Sequence, residues 1–149
     1  MLNYFGFSLK GLIIFLLPMI PNMFYFLLPA PAGGAPSVSS PKILDFLEHG
    51  TQGIFIFLLI FLMSSKASQL NSPYTLGMGI MLLLYYFLWI VYFTGEVTLL
   101  IQLGLAVFPV IYFILGELWL HNPVAVIPTF LFGIFHVIIT FINYTSIQQ

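Results

Sequence analysis

The sequence predicts an all-α integral membrane protein, a compact bundle of five transmembrane helices built from one polytopic domain over residues 1–149. Charged residues are 5% of the chain and hydrophobic ones 61%, against about 25% charged in soluble domains. Three basic and four acidic side chains cannot cover the surface of a water-soluble globule of this size. The apolar residues also gather into long runs separated by Gly, Pro, Ser and Asn, which is how spans alternate with connections. Lipid is the solvent that fits, and the lipid bilayer is the first expected partner.

The first run, residues 11–28, follows Lys10 and is about long enough to cross hydrocarbon. Pro18 and Pro21 fall within it, just before Asn22. Each proline removes a backbone donor, so a kinked first helix with freed carbonyls near Asn22 is expected. Ala30-Pro31-Ala32 has the small-x-small form of a signal-peptidase site. The length of the run, and an Asn after two prolines, argue for retention of the first span. Residues 29–36, rich in Pro, Ala and Gly, form the main linker.

The second helix is expected to start at Ser40-Pro41, as N-cap followed by N1 proline, ahead of the apolar stretch 54–63. The third run covers residues 76–93, and the fourth covers 97–118 with Pro109 inside it. Asn122-Pro123 repeats the cap-then-proline signal for the fifth, which contains Pro128 and reaches residue 142. Gly77 and Gly79 permit close helix approach, although their spacing is not Gly-x-x-x-Gly. Tyr4, Tyr74, Tyr92, Trp119 and Tyr144 fall near span ends, as interfacial aromatics do. Five spans put Lys10 and Lys66 on one side and Lys42 on the other. The positive-inside rule then favours a cell-membrane protein with a cytoplasmic N terminus.

With so few polar side chains in the spans, their depth is informative. At 1.5 Å per residue, Asn22 lies roughly 18 Å beyond Lys10, and His136 lies about 20 Å beyond Pro123. Five-span topology therefore collects Asn22, Glu48, Gln52, Glu96, Gln102 and His136 in one half of the membrane as the lining of a polar cavity. Asp45, Glu48 and Gln52 are spaced three and four apart and share a helix face. His49 stands four after Asp45 and can pair with it. A carboxylate and an imidazole brought together can share a proton or ligate a divalent metal. The simpler readings place Asp45, Glu48 and His49 among lipid headgroups or in an external loop, and make Glu96 a first-turn acid of the fourth helix. For His136 the simpler reading is a bond to a neighbouring helix or to Thr140, four residues on.

Glu117 and His121 form a secondary polar pair toward the opposite face, four residues apart at the end of the fourth run. They can hold one proton or metal between them, or serve as an interfacial ion pair assisted by Trp119. They do not form His-Glu-x-x-His, which needs two histidines. No phosphate loop, Gly-x-Ser-x-Gly elbow, Cys-x-x-Cys or dinucleotide fingerprint occurs, and no pattern names a cofactor. Three lysines without arginine do not make a nucleic-acid surface. The lack of cysteine excludes disulfide, thiolate and iron–sulfur chemistry in this chain.

Several short pieces also resemble a class of small uncharacterised multi-pass membrane proteins of Gram-positive bacteria. They are Met19-Ile-Pro-Asn22, Leu47-Glu-His-Gly50 with Gln52, Tyr85-Tyr86 with Leu88-Trp89 and Tyr92, Phe108-Pro109 with Tyr112-Phe113, and Phe132-Gly133 with His136. The resemblance implies a retained first span and a bacterial plasma membrane, and it transfers no activity. The residues favour a small permease-like or transporter-accessory protein that moves an ion or small molecule and is capable of proton coupling. A membrane-embedded enzyme acting on a lipid is the alternative. A structural protein, associating with itself or with another membrane protein, is the third reading.

Overall fold

Helix boundaries follow from local capping chemistry. The computed structural model describes residues 3–28, 31 and 40–147. Its elements are β1 (Asn3–Phe5), α1 (Leu9–Leu27), α2 (Lys42–Phe61), β2 (Leu62–Ser64), α3 (Pro73–Phe93), α4 (Leu99–Trp119) and α5 (Pro123–Ile147). Ser8 caps α1 by accepting from the Gly11 amide at 3.0 Å. Ser72 caps α3 ahead of Pro73, and Thr98 caps α4. Asn122 Oδ1 accepts from the Ala125 amide at 3.4 Å, so α5 starts at Pro123 as the cap-then-proline pattern predicts. Each bond satisfies one of the free amides of a first turn.

The start of α2 differs from the sequence expectation. Its N-cap position is Pro41, with no side-chain cap bond, and the Ser40 hydroxyl donates to the Asp45 carboxylate instead. With the helix starting one residue later than expected, Ser40 lies outside the N-cap position, and its hydroxyl instead makes a charge-assisted bond to the first-turn acid. The linker at 29–36 and the signal-peptidase pattern lie, apart from Pro31, outside the described residues.

Four helices, α2 to α5, are long and apolar enough to cross a membrane; the apolar stretch of α1, Leu9–Tyr25, is shorter. The helices carry large apolar side chains on their outer faces, among them Leu83, Ile90, Leu100 and Phe130. Such a surface suits hydrocarbon. α4 packs against both α3 and α5, α5 packs against α2, and α1 lies against α2, α3 and α4. Phe55 of α2 is the hub, with ring centroids 5.2 Å from both Phe113 of α4 and Phe132 of α5. Between lipid-soluble helices such interlocking supplies the attraction that water would otherwise drive.

A short ribbon was not legible in the sequence. β1 and β2 pair antiparallel, with Asn3 opposite Ser64 and Phe5 opposite Leu62. The amides of Gly6 and Ser8 then reach the carbonyls of Phe61 and Ile60 at 3.0 and 2.8 Å. Those carbonyls lie in the last turn of α2, where no helical donor follows. The N-terminal segment is thus a donor strip for the end of another helix. Gly11 is needed at the same seam: a Cβ there would sit 2.1 Å from the Leu59 carbonyl oxygen.

α1 runs as one helix through Pro18 and Pro21. Pro21 cannot donate to the carbonyl four residues earlier, that of Leu17. The Tyr86 hydroxyl of α3 donates to that oxygen at 2.6 Å. A side chain from another helix thereby replaces the missing backbone donor.

Candidate functional site

Glu48 lies about two turns into α2 after Pro41, and His136 lies in the second half of α5. Because α2 and α5 pack together, the two side chains meet: His136 Nδ1 lies 2.5 Å from Glu48 Oε1. Their side chains are 35% and 12% exposed, respectively. Phe132 stacks on the imidazole at 5.1 Å with an interplanar angle of 18°, which fixes the ring between an aromatic wall and a carboxylate. Thr140 donates to the backbone carbonyl of His136, leaving the imidazole to Glu48. With Nδ1 engaged, Nε2 is the ring nitrogen left for proton exchange.

His49 sits 3.8 Å from the other Glu48 oxygen but is largely exposed. Its Nδ1 lies 2.7 Å from the backbone carbonyl of Asp45, so it pairs with the Asp45 main chain and not with its carboxylate. No group of three His, Asp or Glu side chains gathers to hold a metal among the described residues.

Beside the pair opens a cavity of about 330 Å³. Asn22, Gln52, Gln102 and His136 line it, drawn from α1, α2, α4 and α5. Asn22 is tied down, accepting from the Tyr85 hydroxyl at 2.8 Å. Glu48 reaches the cavity through His136 and is not itself in the wall. Glu96 is not in the wall either. It lies exposed between Gly95 and the Thr98 cap, before the first turn of α4. The α3–α4 turn, with Gly95 at φ 101°, ends α3 abruptly and leaves Glu96 in the connection.

The secondary pair separates. Glu117 is fully buried, and its carboxyl accepts from the Thr129 hydroxyl of α5. His121 leaves the helix in a left-handed turn, φ 55°, and makes no ion pair with Glu117 among the described residues. The i,i+4 argument fails because α4 stops at Trp119. Asn122 takes over at this end: its side-chain amide donates to the carbonyls of Leu58 and Leu62 at 2.9 and 3.0 Å. That joins the start of α5 to the end of α2.

Sequence reasoning missed the aromatic part of the wall. Tyr25, Tyr85, Trp89 and Tyr92 all line the cavity. Tyr92, expected at the membrane interface, is 2% exposed. The signal was present in the spacing: Tyr85, Trp89 and Tyr92 fall at i, i+4 and i+7, one face of α3.

Comparison with known protein families, with curated proteins and with solved structures returns no match to this chain.

Proposed function

We propose that the protein is a five-span, permease-like membrane protein or transporter-accessory subunit, with proton exchange at Glu48–His136 coupled to a solute held in the adjoining cavity. The observation that carries this reading is the 2.5 Å contact between Glu48 and His136, which bridges α2 and α5 beside a largely apolar cavity into whose wall Asn22, Gln52, Gln102 and His136 are set. Ionisable groups are costly inside a bilayer, and those that persist there pair with one another or mark a pathway. Both members of this pair can change charge, so a proton arriving at one alters the bond that ties the two helices. A solute in the cavity touches His136 directly and feels that change.

The lysines support an orientation. Lys10 and Lys66 lie at the ribbon end, where the Lys10 ammonium donates to Ser68 Oγ at 2.8 Å, and Lys42 begins α2 at the other end. The ribbon end is then cytoplasmic by the positive-inside rule. With that orientation the cavity, near Asn22 and Gln102, lies in the outer half.

Proteoliposomes with a trapped pH-sensitive dye test the reading. Separate panels of small cationic, neutral and anionic solutes are added outside, and lumenal acidification is followed. Acidification that depends on one class of solute, and is lost in Glu48→Gln and His136→Gln, supports coupled transport. Proton movement that is equal in wild type and Glu48→Gln removes the pair from the mechanism. No solute-dependent proton movement in folded wild type leaves the pair a structural tie between α2 and α5.

A further inference from the structure

We propose that the cavity takes a small methylated ammonium cation, of about the size of choline; this names the solute class for the transport reading above and rests on it. Four aromatic side chains, Tyr25, Tyr85, Trp89 and Tyr92, come from two helices to one cavity. Trp89 stands nearly perpendicular to both neighbours on its own helix, at 84° to Tyr85 and 82° to Tyr92. Tyr25 of α1 closes on them, with centroids 5.9 Å from Trp89 and 6.3 Å from Tyr92. Phe93, which is not in the cavity wall, stacks on Trp89 at 26°, while the near-perpendicular Tyr85 and Tyr92 and the inclined Tyr25 form the corner of a box on the cavity side. Aromatic boxes hold quaternary ammonium groups, because the ring quadrupole attracts positive charge while methyl groups meet an apolar wall.

Charge points the same way. The three lysines of the chain, Lys10, Lys42 and Lys66, all lie outside the cavity wall, and the chain has no arginine. An anion in this place would lose water with no lysine or arginine to meet it, and a protonated His136 would already be paired with the Glu48 carboxylate. A cation would find the Glu48 carboxylate one side chain away, behind His136. The Gln52 and Gln102 carboxamides line the cavity from α2 and α4, and neither has a hydrogen-bond partner among the described residues. They fit the hydroxyl or carbonyl of a ligand whose other end is the ammonium. At about 330 Å³, the space lies at the low end of the range of about 300–1,000 Å³ for small-molecule sites. That size suits a compact ligand.

The test uses the full-length protein purified in detergent. Choline is titrated by calorimetry and by tryptophan fluorescence, since Trp89 lies in the box and the other tryptophan, Trp119, lies at the far end of α4. The comparison ligand is 3,3-dimethyl-1-butanol, which has the same shape with carbon in place of the charged nitrogen. Choline is expected to bind saturably and at least about tenfold more tightly than this alcohol. Trp89→Leu and Tyr92→Leu should each weaken choline about tenfold, with Trp89→Phe intermediate because a smaller aromatic face remains. Helical circular dichroism checks that the variants are folded, and Trp89→Phe, the most conservative change, covers the case in which the leucine variants fail to fold. Equal affinity for choline and the neutral alcohol overturns the proposal, as does no choline binding by folded wild type. Choline binding without solute-dependent proton movement refutes the transport reading alone. Coupled movement of a neutral or anionic solute without choline binding refutes the cation alone.

Discussion

Replacing Tyr86 by phenylalanine removes one oxygen atom and leaves the ring in place, so it isolates the bond that compensates Pro21. The Tyr86 hydroxyl donates to the Leu17 carbonyl at 2.6 Å, and Pro21 has no amide hydrogen with which to do so. Loss of a buried acceptor's partner costs about 1–3 kcal/mol in general. Interhelical bonds in membrane bundles average about 0.6 kcal/mol and reach about 1.7. A loss of about 1 kcal/mol is therefore expected for Tyr86→Phe. The decisive measurement is a double-mutant cycle. In Pro21→Ala, the residue 21 amide can donate to Leu17 itself, and the same Tyr86→Phe change should then cost only a few tenths of a kcal/mol. Unfolding by SDS in mixed micelles, followed by circular dichroism, gives all four stabilities. An equal cost in both backgrounds would refute the idea that the tyrosine substitutes for the donor lost at the proline.

Two further outcomes test the packing. Gly11→Ala should destabilise the protein by about 1–3 kcal/mol, because its Cβ meets the Leu59 carbonyl oxygen and α1 must shift. Gly50→Ala, with nothing within 4 Å, should be neutral or stabilising by up to about 1 kcal/mol through helix propensity alone; matching effects in the same SDS titration would contradict the close approach at Gly11. Thr129→Val takes the partner from the fully buried Glu117 carboxyl and should cost about 1–3 kcal/mol. Adding Glu117→Met should return most of that loss, since an apolar replacement needs no partner. Failure of the second change to restore the midpoint would mean that Thr129 acts through something other than Glu117.

How far the site could be read in advance differs residue by residue. Asn22, Gln52, Gln102 and His136 share a cavity because helix rise fixes depth, and depth can be counted along a sequence. Glu96 fell outside for a reason of less than one turn: the Thr98 cap sets the start of α4 after it. Glu117 and His121 have the right spacing for a helical pair, but the helix ends between them. Aromatic side chains were the hardest to assign. A tyrosine near a span end suits the interface and a cavity wall equally well by composition, and only the face it occupies separates the two.

The sequence by itself determined the solvent and the local punctuation of this protein. Scarce charge suits lipid, and Asn122-Pro123 sets the start of α5, because those are properties of composition and of one turn of backbone. Tertiary structure alone decided the partners. That Glu48 takes His136, that Glu117 takes Thr129, and that Tyr86 repairs Pro21 depend on which helix lies beside which. Away from breaks such as Pro21, each helix satisfies its own backbone within a span, so the chain carries little local signal for its neighbours. The choice is made by side-chain packing, at seams such as Gly11 against Leu59, between residues far apart in the sequence.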